Sequence, residues 1–310
     1  MTISLLVDTD TAFDDWLALA YLVQCPLVEL KAITIAATGE SHATPGIDTA
    51  LRILQLKDLD VPVTSGRTTP LKGSHSFPLF VRLVMDLRLG LSLPRSKRTR
   101  WKQACKELLV DQINSAADKV TLLTLGPLTN IAEVLAENPK LVDKIGMIYV
   151  MGGALNAPGN LAEILPNTKN VYAEWNIYVD YYAANIVLRS GAPITLIPLD
   201  VTNQIALTDD FYAQLLKRQK TAAADFVVRV IKRIKTLAGK NPVYFWDLVA
   251  AVITTRPDLG SYEMHRLGVV QDEGSTIGRV VEDESGGLVR VCIALDQTAF
   301  EEIVLTTLNA

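Results

Sequence analysis

The chain has 310 residues, 49% of them hydrophobic and 21% charged, with 18 Gly and 14 Pro, a balance that excludes a disordered or fibrous protein and allows one well-buried core. With 30 Lys and Arg against 34 Asp and Glu, a formal charge of −4, no global basic field exists to hold a polyanion, and nucleic acid is not expected as a partner. Cys25, Cys105 and Cys292 are far apart and in no CxxC spacing, which argues against a disulfide framework or thiolate metal site and predicts a reducing, cytoplasmic setting.

The first residues lack the basic region of a signal peptide and read instead as a strand over 3–7. Further short apolar runs follow at 32–37, 61–64, 119–125, Ile145–Met151 and 194–198, nearly continuous in hydrophobicity, as strands covered on both faces are. Helical periodicity occupies 14–24, 44–56, 128–137 and 181–189 between them. The basic run 95–100 beside Pro94 reads as a solvated loop. Residues 208–256 are mainly helical, and 265–295 are strand-like, broken by Gly274, Gly278 and Gly286-Gly287. No apolar run of about 18 residues is present to span a membrane. The pattern predicts an α/β fold, a single domain over 1–310 with a mostly parallel, mixed central sheet flanked by helices.

Chemistry concentrates where the first strand ends. Asp8-Thr-Asp10-Thr-Ala-Phe-Asp14-Asp15 leads into the first helix, and ligands of open α/β sheets sit at such carboxyl ends. Four acids within eight residues are expected to converge. No Lys or Arg precedes Lys31, so local sequence supplies no counter-charge, and like charges this close either raise a pKa or bind a hard cation such as Ca²⁺ or Mg²⁺. The segment Asp8-x-Asp10-x-Thr also fits the nucleophile motif of the haloacid-dehalogenase phosphatases, but the rest of that set has only Thr195 and Asp209-Asp210 as candidates, in a strand and at the start of a surface helix.

Several motifs in order support a different relationship. The eight-residue segment resembles the DTDxGxDD signature of the inosine-uridine-preferring nucleoside hydrolases, Gly126-Pro-Leu-Thr-Asn130 resembles their GPLTN element, and Met151-Gly-Gly153 their MGG turn. Gly159-Asn160 and Glu174-Trp-Asn176 are similar to their ribose-binding pair, and Phe245-Trp-Asp247-Leu-Val-Ala to a late [HW]DPLA element. The resemblance implies hydrolysis of the N-glycosidic bond of ribonucleosides. It implies Ca²⁺ held by Asp10, Asp15, Asp247 and the main-chain carbonyl of Leu125, with Asp10 also the base that activates a metal-bound water. It implies Asp14, Met151, Asn160, Glu174, Asn176 and Trp246 as substrate-binding residues, a small-molecule nucleoside as the partner, and a homo-oligomer, dimeric or tetrameric. A non-catalytic Ca²⁺-dependent nucleoside binder is the third reading.

Three positions depart from the family pattern. Its usual Pro-Gly is Thr11-Ala12 here, so the loop must bend without its glycine. After the second strand, where the family often has Gly-Asn, this chain has Thr38-Gly39-Glu40, so Glu40 stands at the position of that Asn. Trp246 replaces the His that protonates the departing base, and an indole supplies no such proton. Of the three histidines, His42, His75 and His265, the second lies in a loop-like segment that could reach the mouth of the site.

Overall fold

The computed structural model describes residues 2–310, which build one sheet with helices on both faces. In chain order the first half comprises β1 (Ile3–Thr9), α1 (Phe13–Gln24), β2 (Val28–Ile35), α2 (Ala43–Leu54), β3 (Val63–Ser65), α3 (Leu79–Asp86), α4 (Cys105–Ser115), β4 (Val120–Thr124), α5 (Thr129–Glu137) and β5 (Ile145–Met151). The second half comprises α6 (Trp175–Val179), α7 (Tyr181–Leu188), β6 (Ile194–Ile197), α8 (Leu199–Thr202), α9 (Asp209–Arg218), α10 (Ala222–Ala238) and α11 (Trp246–Thr255). It closes with β7 (Gly260–Val269), β8 (Val280–Glu282), β9 (Gly287–Leu295) and α12 (Gln297–Leu308).

The strands lie in the order β3-β2-β1-β4-β5-β6-β9-β7-β8. From β3 to β9 all neighbours pair in parallel, and β7 pairs antiparallel with both β9 and β8. The mostly parallel, mixed sheet expected from the alternation of apolar runs is therefore present. Its central strands bury both faces, β6 completely, because helices of the two layers cover them. One layer, containing Leu17, Ile47, Val227 and Val252, gathers α1, α2, α10 and α11; the other, containing Leu108, Ile131 and Ala184, gathers α4, α5 and α7. No helix among the described residues is long and apolar enough to cross a membrane.

The chain runs outward from β1 through β2 to β3, then returns to place β4 on the other side of β1. This reversal makes the carboxyl ends of β1 and β4 a topological switch point, where the following loops diverge and open a crevice. The basic run behaves as a solvated loop: Arg98 bonds Asp60 at 2.9 Å and Asp58 at 3.1 Å.

Candidate active site

Asp10 follows β1 directly, in a loop held by hydroxyls. The Ser41 hydroxyl donates to the Asp10 carbonyl at 2.5 Å and lies 2.5 Å from the Thr11 hydroxyl, while the Trp16 indole N–H donates to the Thr11 carbonyl at 2.7 Å. Thr11 sits at φ 57°, a left-handed conformation that costs a β-branched residue roughly 1–2 kcal/mol. The family's glycine position is filled by Ala12 at an ordinary φ of −71°, and the bend is made one residue earlier, at a strained Thr11 that its neighbours fix. A proline, the usual residue of the family at this point, has its φ locked near −65° and does not fit this conformation. The loop then enters α1, where the Asp15 carboxylate accepts the Ala12 N–H at 2.9 Å and also the Thr9 hydroxyl.

Asp10, Asp14, Asp15 and Asp247 line one cleft of about 260 Å³, together with Glu40, Glu174, Leu125, Met151, Asn160, Asn176 and Trp246. Every residue expected to contact metal or substrate therefore borders the same crevice. The carboxylate of Asp15 is close enough to those of Asp10 and Asp247 for its charge to act on both. Oxygens of Asp14, Asp15 and Asp247 come within 4.8 Å of one another. Asp10 is boxed in by backbone: a Cβ at Gly39 would stand 2.1 Å from its Oδ2, and one at Gly126 would stand 2.9 Å from its Cβ. The Glu40 N–H donates to the same Oδ2 at 3.0 Å.

Asp8 does not join them. Its Oδ1 accepts from Thr34 at 2.5 Å and Asn130 at 2.8 Å, behind the cleft and among the core helices. The expected convergence of four acids from this segment is corrected to three, with Asp247 arriving from the start of α11. The cause is where the strand stops: continued pairing would put residues 8 and 10 on one face, but Asp8 still belongs to β1 and is turned to Asn130 of α5, whereas Asp10 lies beyond the last paired residue, Thr9. The phosphatase reading, which needs Asp8 at the reacting centre, loses its nucleophile. Thr195 is a strand residue bonded to Arg290 at 2.9 Å, and Asp209 pairs with Lys235 on the surface.

Glu174 and Asn176, which by sequence alone resemble an exposed strand end, are buried at the start of α6. The Glu174 carboxylate accepts the N–H groups of Gly153 at 2.9 Å, Asn176 at 2.8 Å and Ile177 at 3.2 Å. The Met-Gly-Gly turn, with φ 79° at Gly153, is shaped to deliver one of these donors. The Asn176 amide donates to the carbonyls of Leu125 at 3.3 Å and Met151 at 3.2 Å, tying the ends of β4 and β5 to α6. Asn160 accepts the Trp175 N–H at 3.1 Å, and Gly159 is required because a Cβ there would lie 2.1 Å from the Ala173 carbonyl.

Electrostatically the floor is unbalanced. Burial, then the charge of Asp10, pushes Asp14 up to about 7, and burial pushes Glu174 up to about 7 despite its three N–H donors. Burial followed by neighbouring carboxylates drives Asp15, Asp247 and Glu40 well above the carboxylate range. No Lys, Arg or His lines the cleft among the described residues. Arg82 of α3 is the cation whose field reaches Asp10, but its guanidinium donates to the carbonyls of Ala37 at 2.8 Å and Ser41 at 3.0 Å. Asp247 Oδ1 is buried with no partner at all. An orphaned carboxylate oxygen in an oxygen-only donor set fits a hard divalent cation.

The opposite wall is apolar. Phe13, Phe77, Val81, Met85, Ile164 and Trp175 line it beside Trp246, whose indole N–H donates to Asn203 at 2.8 Å. Of these, only Trp246 was expected. Phe77, Val81 and Met85 come from the segment around α3, whose sequence has no marker of a binding wall beyond its apolar spacing. Lys72 to Phe77 does reach the cleft, but through Phe77; His75 instead stacks on Tyr178 with ring centroids 4.1 Å apart. His42 bonds Asp86 at 2.6 Å, and His265 bonds Glu282 on the far edge of the sheet.

An acid-floored, aromatic-walled crevice at the switch point of a parallel sheet defines an α/β enzyme acting on a small molecule with one polar and one flat apolar end. The sequence matches the model of the family described as inosine-uridine preferring nucleoside hydrolase over residues 5–302. It is 32% identical over 289 residues to uridine nucleosidase 1 of Arabidopsis thaliana, covering 90% of this chain and 82% of the relative. It is 31% identical over 311 residues to the non-specific ribonucleoside hydrolase RihC of Salmonella enteritidis PT4, covering 98% and 97%. The purine-preferring ribonucleoside hydrolase from Gardnerella vaginalis superposes with a TM-score of 0.82 at 28% identity, over 99% of this chain and 98% of that one. The plant nucleoside hydrolase PpNRh1 shares the fold, with a TM-score of 0.87 at 24% identity over 100% of both chains. The chain belongs to the inosine-uridine preferring nucleoside hydrolase family and is a nucleoside hydrolase.

Gly39→Ala is expected to displace Asp10 and lower turnover by about 10²-fold with an unchanged circular dichroism spectrum; full activity would contradict the close approach. A second expectation concerns pH. The cleft carboxyls have folded pKa values above their unfolded ones, for Asp14 about 7 against 3.8, so without a cation the fold favours the protonated forms and the cluster destabilises increasingly as pH rises between those values. The rise in Tm produced by Ca²⁺ should therefore be small near pH 4 and grow toward pH 8; a rise independent of pH would contradict the assignment.

Proposed function

We propose that the protein hydrolyses ribonucleosides to ribose and free nucleobase with Ca²⁺ bound by Asp10, Asp15, Asp247 and the Leu125 carbonyl. The observation that carries this reading is the set of buried carboxylates with no protein cation in their cleft and an unpartnered oxygen on Asp247. When bound, the cation contributes Lewis acidity, lowering the pKa of a ligating water and gripping vicinal hydroxyls.

The chain's own residues supply the rest. Asp10, fixed between Gly39 and Gly126, accepts a proton from the attacking water. Asp14, Asn160, Glu174 and Asn176 hold the ribose hydroxyls, so that attack at the anomeric carbon becomes effectively intramolecular. Glu174, pinned by three backbone donors, is suited to hold one hydroxyl in a fixed place. As the bond to the base breaks, positive charge develops on the sugar ring, and the anionic floor stabilises it. Met151 closes the floor beside Asn176. The base lies against Phe13, Val81, Met85 and Trp246, where flat apolar surface is removed from water.

The relatives are named for uridine, for purines and for ribonucleosides without preference, so ribonucleosides as a class are the substrate proposed. The family resemblance supports a homo-oligomer, and three free, buried thiols support a reducing, cytoplasmic setting.

Incubation with a panel of ribonucleosides, with and without chelator, is expected to release free base only when divalent cation is present. Asp10→Ala should lower kcat by at least about 10³-fold while nucleoside binding persists. Retained turnover in that variant would remove Asp10 from the chemistry, and binding without turnover by the unaltered protein would contradict the hydrolytic reading.

A further inference from the structure

A nucleobase departs readily only when a proton neutralises it, and among the described residues no His, Lys, Tyr or Cys lines the cleft to provide one. The indole N–H of Trp246 is committed to Asn203, and the three histidines are committed to Asp86, Tyr178 and Glu282. Seven carboxyls remain. Asp10, Asp14, Asp15 and Asp247 form the floor, Glu174 is pinned by three N–H donors and turned to the ribose, and Glu40 answers to the charges of Asp10, Asp14 and Glu174 at the ribose end.

Glu163 is placed differently. The cleft opens sideways into an apolar trough, and Phe13, Val81, Met85, Trp246 and Glu163 belong to both. The trough continues over Phe80, Val84 and Leu89 on one side and Ile234, Leu237 and Val243 on the other, so Glu163 is the one titratable residue along it among the described residues. Glu40 is the neighbouring carboxyl whose charge couples to it; α1, α3, α10 and α11 present no charged side chain to the trough. Although its side chain is exposed at the rim, partial desolvation by this wall raises the Glu163 carboxyl above the usual range. Its place at the rim, rather than in the floor, leaves it free to regain a proton from solvent.

Resting on the proposed hydrolysis, the geometry points to Glu163 as the catalytic acid that protonates the leaving base. In the step, the C1′–N bond breaks and its electron pair passes to the base, which leaves neutral because the Glu163 proton moves to one of its ring nitrogens. The water oxygen bonds to C1′ and the water proton passes to Asp10. Glu163 is left as carboxylate and Asp10 as acid, and exchange with solvent restores both.

Glu163→Gln should be tested on inosine and uridine, which need leaving-group protonation, and on p-nitrophenyl β-D-ribofuranoside, whose phenolate leaves without it. The expected result is a fall of about 10²-fold in kcat for the nucleosides, with the p-nitrophenyl substrate within about twofold of the unaltered enzyme. The alkaline limb of the nucleoside pH profile should also flatten, since a general acid is lost as pH rises through its pKa. A parallel fall on all three substrates would assign Glu163 a positioning role, and unchanged nucleoside turnover would remove it from the reaction; either overturns the inference. Unaltered protein that cleaves the p-nitrophenyl substrate but no nucleoside would overturn the proposed function and this inference together.

Discussion

Mutual repulsion among buried carboxylates governs the active end of this molecule. Asp10, Asp14, Asp15 and Asp247 crowd one crevice, with Glu40 and Glu174 beside them, and the protein supplies no lysine or arginine to their midst. Arg82 comes nearest and points its guanidinium at carbonyl oxygens. A fold that leaves so much like charge in low dielectric has either to protonate the acids or to recruit a cation, and the bare Asp247 oxygen marks where protein partners run out. The same unneutralised charge suits a reaction in which the sugar becomes positive.

The scaffold explains how such a cluster is tolerated. Parallel strands buried on both faces form a rigid core, and the reversal of strand order beside β1 opens a crevice without any hinge or second domain. Backbone then does most of the fitting: Gly39 and Gly126 close on Asp10, Gly159 meets Ala173, and the turn at Gly152 and Gly153 presents an amide to Glu174. Thr11, held left-handed by Ser41 and Trp16, shows strain located next to the buried carboxylate of Asp10, as preorganised sites often have it.

Much of this was legible in the residues. The strand Ile145–Met151 was readable to its ends from its apolar run, and the other parallel strands were displaced by only a few residues. Motif order brought Asn160, Glu174, Asn176 and Asp247 to the same crevice as Asp10, although none of them is distinctive alone. Asp8 was misjudged because sequence proximity does not reveal where a strand stops, and one residue of pairing decides which side a carboxylate faces. The apolar wall has no sequence marker, since Phe77 precedes α3 and Val81 and Met85 lie on it, a short helix of ordinary apolar spacing, and their partners on α10 and α11 lie far along the chain. Adjacent Phe245 and Trp246 divide cleanly: the first fills the core against Phe211 and Phe300, the second faces the cleft.

On the proposed function a divalent ion, rather than protons or a basic side chain, balances the acid floor. A crystal structure of the protein saturated with calcium tests it most directly. A single ion is expected about 2.3–2.6 Å from oxygens of Asp10, Asp15, Asp247 and the Leu125 carbonyl. A cleft without an ion at saturating calcium, or one in which Arg82 has swung in to pair with Asp10, would contradict it.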